Sequence, residues 1–308
     1  TSEVRIYRRN GSLEQVWGGP GDGPEEFRLM ARMGRAGGDT LWVHDYGHSR
    51  ITWLAPDDGF LGALTLAPPL SAGMVTGRRS DGSFVLGQMW GTPPPGATVS
   101  EGLARDPAAY VAYGPDGAPR DTLALEPGRE VMHRREGQRM TMASVPFAHH
   151  ASDALLGDDL VVGDQVTRSF RILGPGGVAS VVRWIGPSLE LLDHEVRAWT
   201  EEAVAAAPEA ERASVRAWFT DLPRPERKPA YGRFLTDPTG ALWVAEYAAR
   251  GEPARWDVFD AQGRWMGPVA MPADFRLLEI GAEHIVGVVR DHLDVERVEV
   301  RGLLRGGS

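Results

Sequence analysis

Two adjacent histidines, His149 and His150, are the side chains best suited to proton transfer or metal binding near neutral pH. They begin a predicted β-strand, and neighbouring residues on a strand point to opposite faces of the sheet. Both rings therefore cannot ligate one ion without a bulge. His44 and His48 have the four-residue spacing of a helix but fall in a predicted strand and turn. We therefore predict no bound metal and no cofactor.

A series of acidic residues forms the second candidate set, each at the end of a short apolar run. Its members are Asp45, Asp164, Glu246 and Asp291. Such a series could bring ligands from several elements to one ion. Aspartate at the end of a strand more often accepts hydrogen bonds from the backbone of its own turn. We therefore favour a structural role for these residues.

Several kinds of chemistry are excluded by missing residue types or motifs. The chain has no cysteine, so thiolate catalysis and cysteine-based zinc sites are ruled out. Lys228 is the only lysine and Asn10 the only asparagine. The glycine-rich stretch VWGGPGDGPEEF, residues 16–27, ends in Pro-Glu-Glu, whereas a phosphate-binding loop needs Gly-Lys-Ser/Thr. We interpret it as a connector. No Gly-x-Ser-x-Gly elbow of an α/β-hydrolase is present.

Net charge and hydropathy limit the partners. The formal charge of −9 argues against nucleic acid, which would require a basic surface. No apolar run approaches the roughly 18 residues of a membrane span. The N-terminus shows no signal-peptide pattern. If the protein is exported, we expect its address upstream of Thr1.

The elements that would position these side chains follow an internal repeat with a period of about 43 residues. Each copy has a small turn, a run rich in Val, Leu and Trp, and then a polar residue; the copies are 38–46, 81–89, 157–165, 239–247 and 281–291. A second series of tight turns interleaves with the first, at 8–13, 55–60, 114–119, 174–179 and 260–265. Several contain Asn-Gly or Asp-Gly pairs, which favour β-hairpins.

Two interleaved hairpins per period predict a four-stranded antiparallel sheet of about 40 to 45 residues, the size of one β-propeller blade. One such sheet cannot bury both of its faces, so neighbouring blades must share a core. A β-sandwich would explain the hairpins but not the common period. We predict an all-β fold, a single β-propeller domain over residues 1–308 with six blades. The first blade is expected to be incomplete at the N-terminus, and five blades is the alternative.

Three stretches interrupt the period. Residues 91–107 predict a long loop, and residues 129–147 predict an extended connection over one face. Residues 186–228 predict a helical insertion between blades, with Ser188 as N-cap and the helices within 188–219. Leu189, Leu192, Val196, Trp199 and Ala203 would form its apolar stripe, and Pro208 would start a second helix. We expect this hairpin to cover its own scaffold; a lid or a docking surface remains open.

The segments GGPGDGPEEF and GDTLWVHDYGHSRITWLAPDDGFLG resemble the NHL-type repeat, with its glycine-rich GPGEF connector and VxVADxxNxRIxxFDxxG blade. Residues 43–45 match its Val-Ala-Asp element, and Arg50-Ile51 match its Arg-Ile pair. The segments DPTGALWVAEY and RWDVFDAQGRWMG resemble a second copy, with Glu246 replacing the aspartate. The whole chain is similar to bacterial six-bladed propellers of the cell envelope, which are often lipoproteins. The resemblance implies a periplasmic or envelope location, with lipid anchoring through a segment upstream of Thr1.

Two functions follow as hypotheses. The first is a non-catalytic scaffold or binding protein, such as an accessory subunit of a larger complex, that binds a protein or small ligand through its loops and helical insertion. Its docking residues would be Trp199, Trp218 and Phe219.

The second hypothesis is a hydrolase or lyase with its site at the mouth of the propeller channel. His149, His150, Arg233 and Glu246 would converge there as ligand-binding residues. The resemblance is to gluconolactonase- and paraoxonase-type propellers. The calcium-dependent members use asparagine ligands, and this chain offers only Asn10.

Overall fold

The computed structural model describes residues 2–8, 10–68, 73–88, 100–137, 139–224, 226–248, 254–293 and 295–305. Their strands form six antiparallel sheets, and two α-helices occur among them. This confirms the predicted all-β propeller fold, with six sheets for the six expected blades. The chain divides into two compact units, residues 1–90 with 108–125 and residues 91–107 with 126–308.

The first unit contains two complete sheets. The first has the two strands β1 (Glu3–Tyr7) and β2 (Leu13–Gly18). The second has four strands paired in chain order, β3 (Met30–Gly37), β4 (Thr40–Asp45), β5 (Arg50–Ala55) and β6 (Gly59–Thr65).

The third sheet contributes strands to both units. Its five strands pair in chain order and are β7 (Met74–Arg78), β8 (Phe84–Gly87), β9 (Gly102–Tyr113), β10 (Pro119–Glu136) and β11 (Arg139–Ser144). Both β9 and β10 pass from one unit to the other along their length.

Two sequence predictions are corrected in this sheet. Of the expected loop at 91–107, residues 91–99 lie outside the described residues, and residues 102–107 already belong to β9. The expected extended connection at 129–147 is largely strand, since β10 continues to Glu136 and returns as β11. Pairing in a hairpin gives the backbone amides hydrogen-bond partners, which an isolated extended segment would lack. Gly137, with φ of 65°, lies at the turn and was the missed signal.

The second unit contains the remaining sheets and the helices. The fourth sheet has β12 (Ser152–Leu156), β13 (Asp159–Gly163), β14 (Ser169–Gly174) and β15 (Gly177–Arg183). The helices α1 (Asp193–Ala206) and α2 (Arg212–Thr220) follow. The fifth sheet has β16 (Phe234–Thr236), β17 (Leu242–Ala245), β18 (Arg255–Phe259) and β19 (Trp265–Ala270). The sixth has β20 (Phe275–Ile280), β21 (His284–Arg290) and β22 (Glu296–Gly302).

Both predicted repeats correspond to fixed positions in these sheets. The copies of the first repeat contain β4, β8, β13, β17 and β21, which are the second strands of their sheets. The turns of the second series join β1 to β2, β5 to β6, β9 to β10, β14 to β15 and β18 to β19. The common period therefore arises because the same hairpins recur from sheet to sheet, as predicted.

Hydrophobic clusters join consecutive sheets within each unit. In the second unit, Phe170 of β14 packs edge-on against Phe259 of β18, with ring centroids 5.2 Å apart. Trp243 and Trp256 of the fifth sheet join Phe275 of the sixth in another cluster. In the first unit, Trp42 of β4 packs against Phe84 of β8 at 5.6 Å. The fourth, fifth and sixth sheets thus bury apolar surface against one another in chain order, and the second and third sheets do so in the first unit.

The helical insertion begins later than predicted. Helix α1 starts at Asp193 rather than near Ser188, and the Glu195 carboxylate closes its first turn by accepting from Leu192 N–H at 2.9 Å. Asp193 and Glu195 also place negative charge where the helix dipole is positive. The Ser188 hydroxyl instead accepts from Glu190 N–H in a non-helical segment. Pro208 precedes a 3-10 turn that leads into α2, as expected.

A substitution at Gly263 would test the packing between the fourth and fifth sheets. It lies in the turn between β18 and β19 with φ of 77°, and a methyl group there would overlap Val182 of β15. Gly240 has φ of 84° in the turn before β17, with open space around it. We expect Gly240→Ala to cost about 1 kcal/mol of unfolding free energy, and Gly263→Ala a further 1–3 kcal/mol from overpacking. Denaturant unfolding of the two variants measures this; equal losses would contradict the sheet-to-sheet contact.

Candidate functional site

A cavity with a volume of about 740 Å³ lies beside helix α1 in the second unit. Helix α1 contributes one wall through residues 194–203, and the opposite wall comes from Phe147, Lys228, Tyr247 and Ala248. We call this cavity the insertion cleft. One wall thus belongs to the segment that the sequence had identified as an insertion, whereas Tyr247 of the other wall ends a copy of the first repeat.

Three aromatic side chains line the insertion cleft. The ring of Phe147 lies 6.0 Å from that of Trp199 and 6.2 Å from that of Tyr247, centroid to centroid, with tilted planes. Phe147 is buried and has φ of 53°, a left-handed conformation that is uncommon for a side chain of this size. Such strained residues persist where the surrounding structure holds them, and they concentrate at functional sites.

The charged groups of the cleft are centred on an ion pair. Lys228 Nζ lies 2.5 Å from Glu195 Oε1, and both side chains are partly exposed. The hydrogen bond from Lys228 lowers the pKa of Glu195. Glu202 and His194 also line the cleft. Burial, together with the negative charge of Glu195, raises the pKa of Tyr247 to about 12, so its hydroxyl is neutral at physiological pH.

A smaller cavity of about 210 Å³ shares Phe147 and Tyr247 with the cleft. His150, Gln165 and Tyr231 provide its polar lining. Burial lowers the pKa of His150 to about 4, and the positive charges of the neighbouring Arg129 and Arg105 act in the same direction. His150 is therefore a neutral imidazole at pH 7.

Gln165 holds the wall of the smaller cavity together. Its backbone is left-handed, with φ of 64°, and its side chain is buried. Its amide nitrogen donates to Ser152 Oγ and to the carbonyl of Gly232, and its amide oxygen accepts from His150 N–H at 2.8 Å. Its backbone N–H donates to the Tyr231 hydroxyl. This network fixes β12, the start of the 164–167 turn and the segment before β16 relative to one another.

His149 forms a pair with Glu130 rather than with His150. Its Nδ1 lies 2.7 Å from Glu130 Oε2, which also accepts from His149 N–H. Burial alone would raise the pKa of Glu130, but these two hydrogen bonds outweigh it, and the pKa lies below the usual range. His149 Nε2 is buried with no hydrogen-bond partner among the described residues. The two histidines thus have separate surroundings, as expected for neighbours in an extended segment.

Arg233 and Glu246 lie outside the lining of both cavities, whereas their neighbours Gly232 and Tyr247 are part of it. Arg233 donates to the carbonyl of Leu277 and lies over the ring of Trp256. Glu246 is 3.7 Å from Arg255. Of the four predicted ligand-binding residues, only His150 lines a described cavity.

The predicted docking aromatics are half-buried against the protein itself. Trp199 and Trp218 both pack on Phe219, with ring centroids 4.8 Å apart in each case. Trp218 and Phe219 also contact the cluster of Val145, Ala148 and Leu222. The helices therefore cover their own scaffold, and Trp199 in addition faces the insertion cleft.

The repeated acids largely have the predicted structural role. Asp45 accepts from Arg28, Leu29 and Gly47 N–H groups, at 3.0 to 3.1 Å. Asp164 accepts from Val166 N–H, and Asp291 from the N–H groups two and four residues later. These bonds hold the turns that follow the second strands. The described residues contain no group of three or more acids and histidines arranged to hold a metal ion.

His44 and His48 also have structural surroundings. His48 bridges Asp45 and Asp22, at 2.5 and 3.0 Å, and so ties the glycine-rich connector to the end of β4. Arg50 donates to two carbonyls of the same connector. His44 is fully buried, and neither ring nitrogen has a hydrogen-bond partner in the described part of the chain.

Among the described residues, no helix is long and apolar enough to cross a membrane.

Sequence reasoning missed most of the lining of the two cavities. Phe147, Gln165, Tyr231, Tyr247 and the Glu195–Lys228 pair are far apart in the chain and belong to no motif. One signal was available, since Lys228 is the only lysine in the sequence. Its position at the end of the insertion could have suggested a contact with the first helix.

Burial of His44 makes stability depend on pH. Burial lowers its pKa to about 4, against 6.5 for an exposed histidine. The unfolded chain therefore binds a proton more readily below about pH 6.5, and stability falls as the pH drops from about 6.5 towards 4. We expect a loss of about 2 kcal/mol from this residue between pH 7 and pH 5.

The measurement is denaturant unfolding at both pH values. His44→Leu should remove this part of the pH dependence, whereas His292→Gln, at an exposed position, should leave it unchanged. An unchanged pH dependence in His44→Leu would show that His44 is not buried as a neutral ring.

No protein-family model matches the chain, and no curated protein matches it. Among solved structures, a member of the DUF4221 family from Bacteroides vulgatus is similar, with a TM-score of 0.52 and 9% identity over 98% of this chain and 86% of that chain. Virginiamycin B lyase from Staphylococcus aureus has a TM-score of 0.42 and 10% identity, over 98% of this chain and 88% of that chain. At such identities the likeness concerns the fold alone.

Proposed function

We propose that this protein is a non-catalytic binding protein with a β-propeller fold, which holds a small organic molecule in the insertion cleft. The observation that carries the proposal is the cleft itself, about 740 Å³ in volume and lined by three aromatic rings and one ion pair. Small-molecule sites typically measure about 300–1,000 Å³ and combine apolar walls with a few polar groups.

The walls of the cleft are fixed by contacts that exist without a ligand. Lys228 is held by Glu195, and its backbone N–H donates to the Leu189 carbonyl at 2.9 Å. Trp199 packs against Phe219 of helix α2. A wall that is already ordered loses less conformational entropy when a ligand binds, which favours affinity.

A hydrolase or lyase is the second candidate, and the Glu130–His149 pair supports it. A carboxylate on Nδ1 orients the ring and leaves Nε2 as an acceptor, which is the arrangement of a general base. Its Nε2 is buried, however, and His149 lines neither described cavity. A substrate would need a rearrangement to reach it, so this observation supports binding in the cleft better than catalysis.

The cellular context belongs to the same proposal. We infer a periplasmic or envelope protein related to NHL-repeat propellers, with the small ligand or a protein partner presented to a larger complex. Arg50, which matches the repeat, donates to two carbonyls of the glycine-rich connector, and Asp45, which also matches, accepts from the two residues that follow it; this supports the relationship. Cell fractionation of the native host tests the location; recovery in the cytoplasm would contradict it.

Blocking the cleft tests the binding function. Ala198 lines the cleft, whereas Ala205 is exposed on the same helix outside it. Fragments that bind the parent protein are first found by saturation-transfer NMR. We expect Ala198→Trp to lower their affinity at least tenfold, because the indole fills the space that they occupy. Ala205→Trp, the matched control, should bind them like the parent protein.

Two outcomes would overturn the proposal. In one, Ala198→Trp binds every fragment as well as the control does. In the other, no fragment from a library of aromatic, amphipathic, cationic and anionic compounds binds the parent protein.

A further inference from the structure

We propose that the smaller cavity is a binding site of its own, which takes an uncharged phenol and hydrogen-bonds the phenol hydroxyl to the ring of His150. This site goes beyond the proposed binding function, because it lies in a different cavity from the insertion cleft. It follows from the size of the cavity, its hydrogen bonds, the charges around it and the backbone of its walls.

The size of the smaller cavity fits one aromatic ring. Its volume is about 210 Å³, and Phe147, Tyr231 and Tyr247 are among the residues that line it. An apolar cavity of about 150 Å³ is known to bind benzene. Larger organic ligands occupy sites of about 300–1,000 Å³. The cavity therefore favours a ligand of one ring with a small substituent.

The hydrogen bonds of the lining leave one side chain open. Both atoms of the Gln165 amide are already bonded. The Tyr231 hydroxyl accepts from Gln165 N–H and donates to the Ser169 carbonyl at 3.0 Å. His150 gives its backbone N–H to Gln165, and its ring has no hydrogen-bond partner among the described residues. A ligand that enters the cavity is thus offered an imidazole.

A neutral imidazole is complementary to a hydroxyl group. It has one donor nitrogen and one acceptor nitrogen, and a hydroxyl can both donate and accept. Burial lowers the pKa of His150 to about 4, so the ring is neutral at pH 7. Tyr247 adds a hydroxyl that is also neutral at this pH.

The charges around the cavity oppose a ligand of either sign. Arg129 and Arg105 disfavour a positive charge on His150, and they would disfavour a ligand cation in its place. Neither arginine lines the cavity, so a ligand anion would be buried without an ionic partner, which is costly.

Tyr231 shows the balance for a phenol at this wall. Burial raises its pKa, and the positive charge of Arg105 opposes the rise only in part. A phenol beside it should likewise keep its proton.

The backbone of the walls is strained at two positions. Three described residues other than glycine have a left-handed backbone, and two of them, Phe147 and Gln165, line this cavity, with φ of 53° and 64°. Residues in such conformations concentrate at ligand-binding and active sites. This observation is independent of the charges and hydrogen bonds.

Two probes of one shape test the hydrogen bond. Phenol and toluene, which carries a methyl group in place of the hydroxyl, are titrated into the full chain at pH 7 and followed by NMR. We expect His150→Leu to lower the affinity for phenol about tenfold, because the buried hydroxyl loses its partner. The affinity for toluene should stay within about twofold.

Two further variants serve as controls. His150→Gln keeps a neutral hydrogen-bonding side chain and should retain most of the phenol affinity. His292→Leu, at an exposed position, should leave both probes unchanged.

The parent protein provides a second measurement, which decides the matter if His150→Leu does not fold. Phenol should shift the imidazole resonances of His150 more than toluene does. Those of His149, which pairs with Glu130 and lines neither cavity, should move little with either probe. Equal shifts of His150 with the two probes would contradict the hydrogen bond.

The other outcomes separate this site from the insertion cleft. Equal losses of phenol and toluene in a folded His150→Leu, or no loss, would overturn the site. So would tighter binding of benzoate or benzylammonium than of phenol, or no binding of phenol to the parent protein. Ala198→Trp should leave phenol binding unchanged, and a loss there would move the phenol to the cleft. None of these results decides the binding function of the cleft, which the fragment library tests.

Discussion

Burial of apolar side chains between consecutive sheets is the interaction on which the rest of this structure depends. A four-stranded antiparallel sheet has two faces, and neither can be covered by the sheet itself. The clusters around Phe170 and Phe259, and around Trp243 and Phe275, provide this cover in the second unit. Fully burying one such side chain contributes about 1.5–3 kcal/mol. Hairpin turns and repeated aspartates only set the positions at which these faces meet.

The insertion adds a second layer of packing with a different outcome. Helix α2 and the end of the insertion cover Val145 and Ala148, as a scaffold element would. Helix α1 packs less completely, since Val204 is its only buried residue among those described. The space left beside it is the insertion cleft. An element that first serves to cover the scaffold thus also creates a lined cavity, in which one ion pair and three rings are fixed.

Much of the fold was predictable because its signals are local and repeated. The turn of residues 260–265 and the strand run of 239–247 recur in other copies, and each copy has the same place in its sheet. The errors fell where a single copy departs from the period. At 129–147 an extra hairpin extends the third sheet, and at Ser188 a plausible cap lies five residues before the helix starts. Capping chemistry alone cannot decide between Ser188 and Asp193, because packing fixes where α1 runs.

At the candidate site, the difference between what could be predicted from the sequence and what could not is larger than in the rest of the fold. The sequence by itself determined the all-β class, the hairpin repeat, the helical insertion and the structural role of Asp164 and Asp291, since each depends on residues close in the chain. Only the tertiary structure decided that Glu195 meets Lys228, that Phe147 lies between Trp199 and Tyr247, and that His149 turns to Glu130 while His150 lines a cavity. These contacts join residues that are 19 to 100 positions apart, and no local rule relates them. Packing of the sheets and helices alone brings them together.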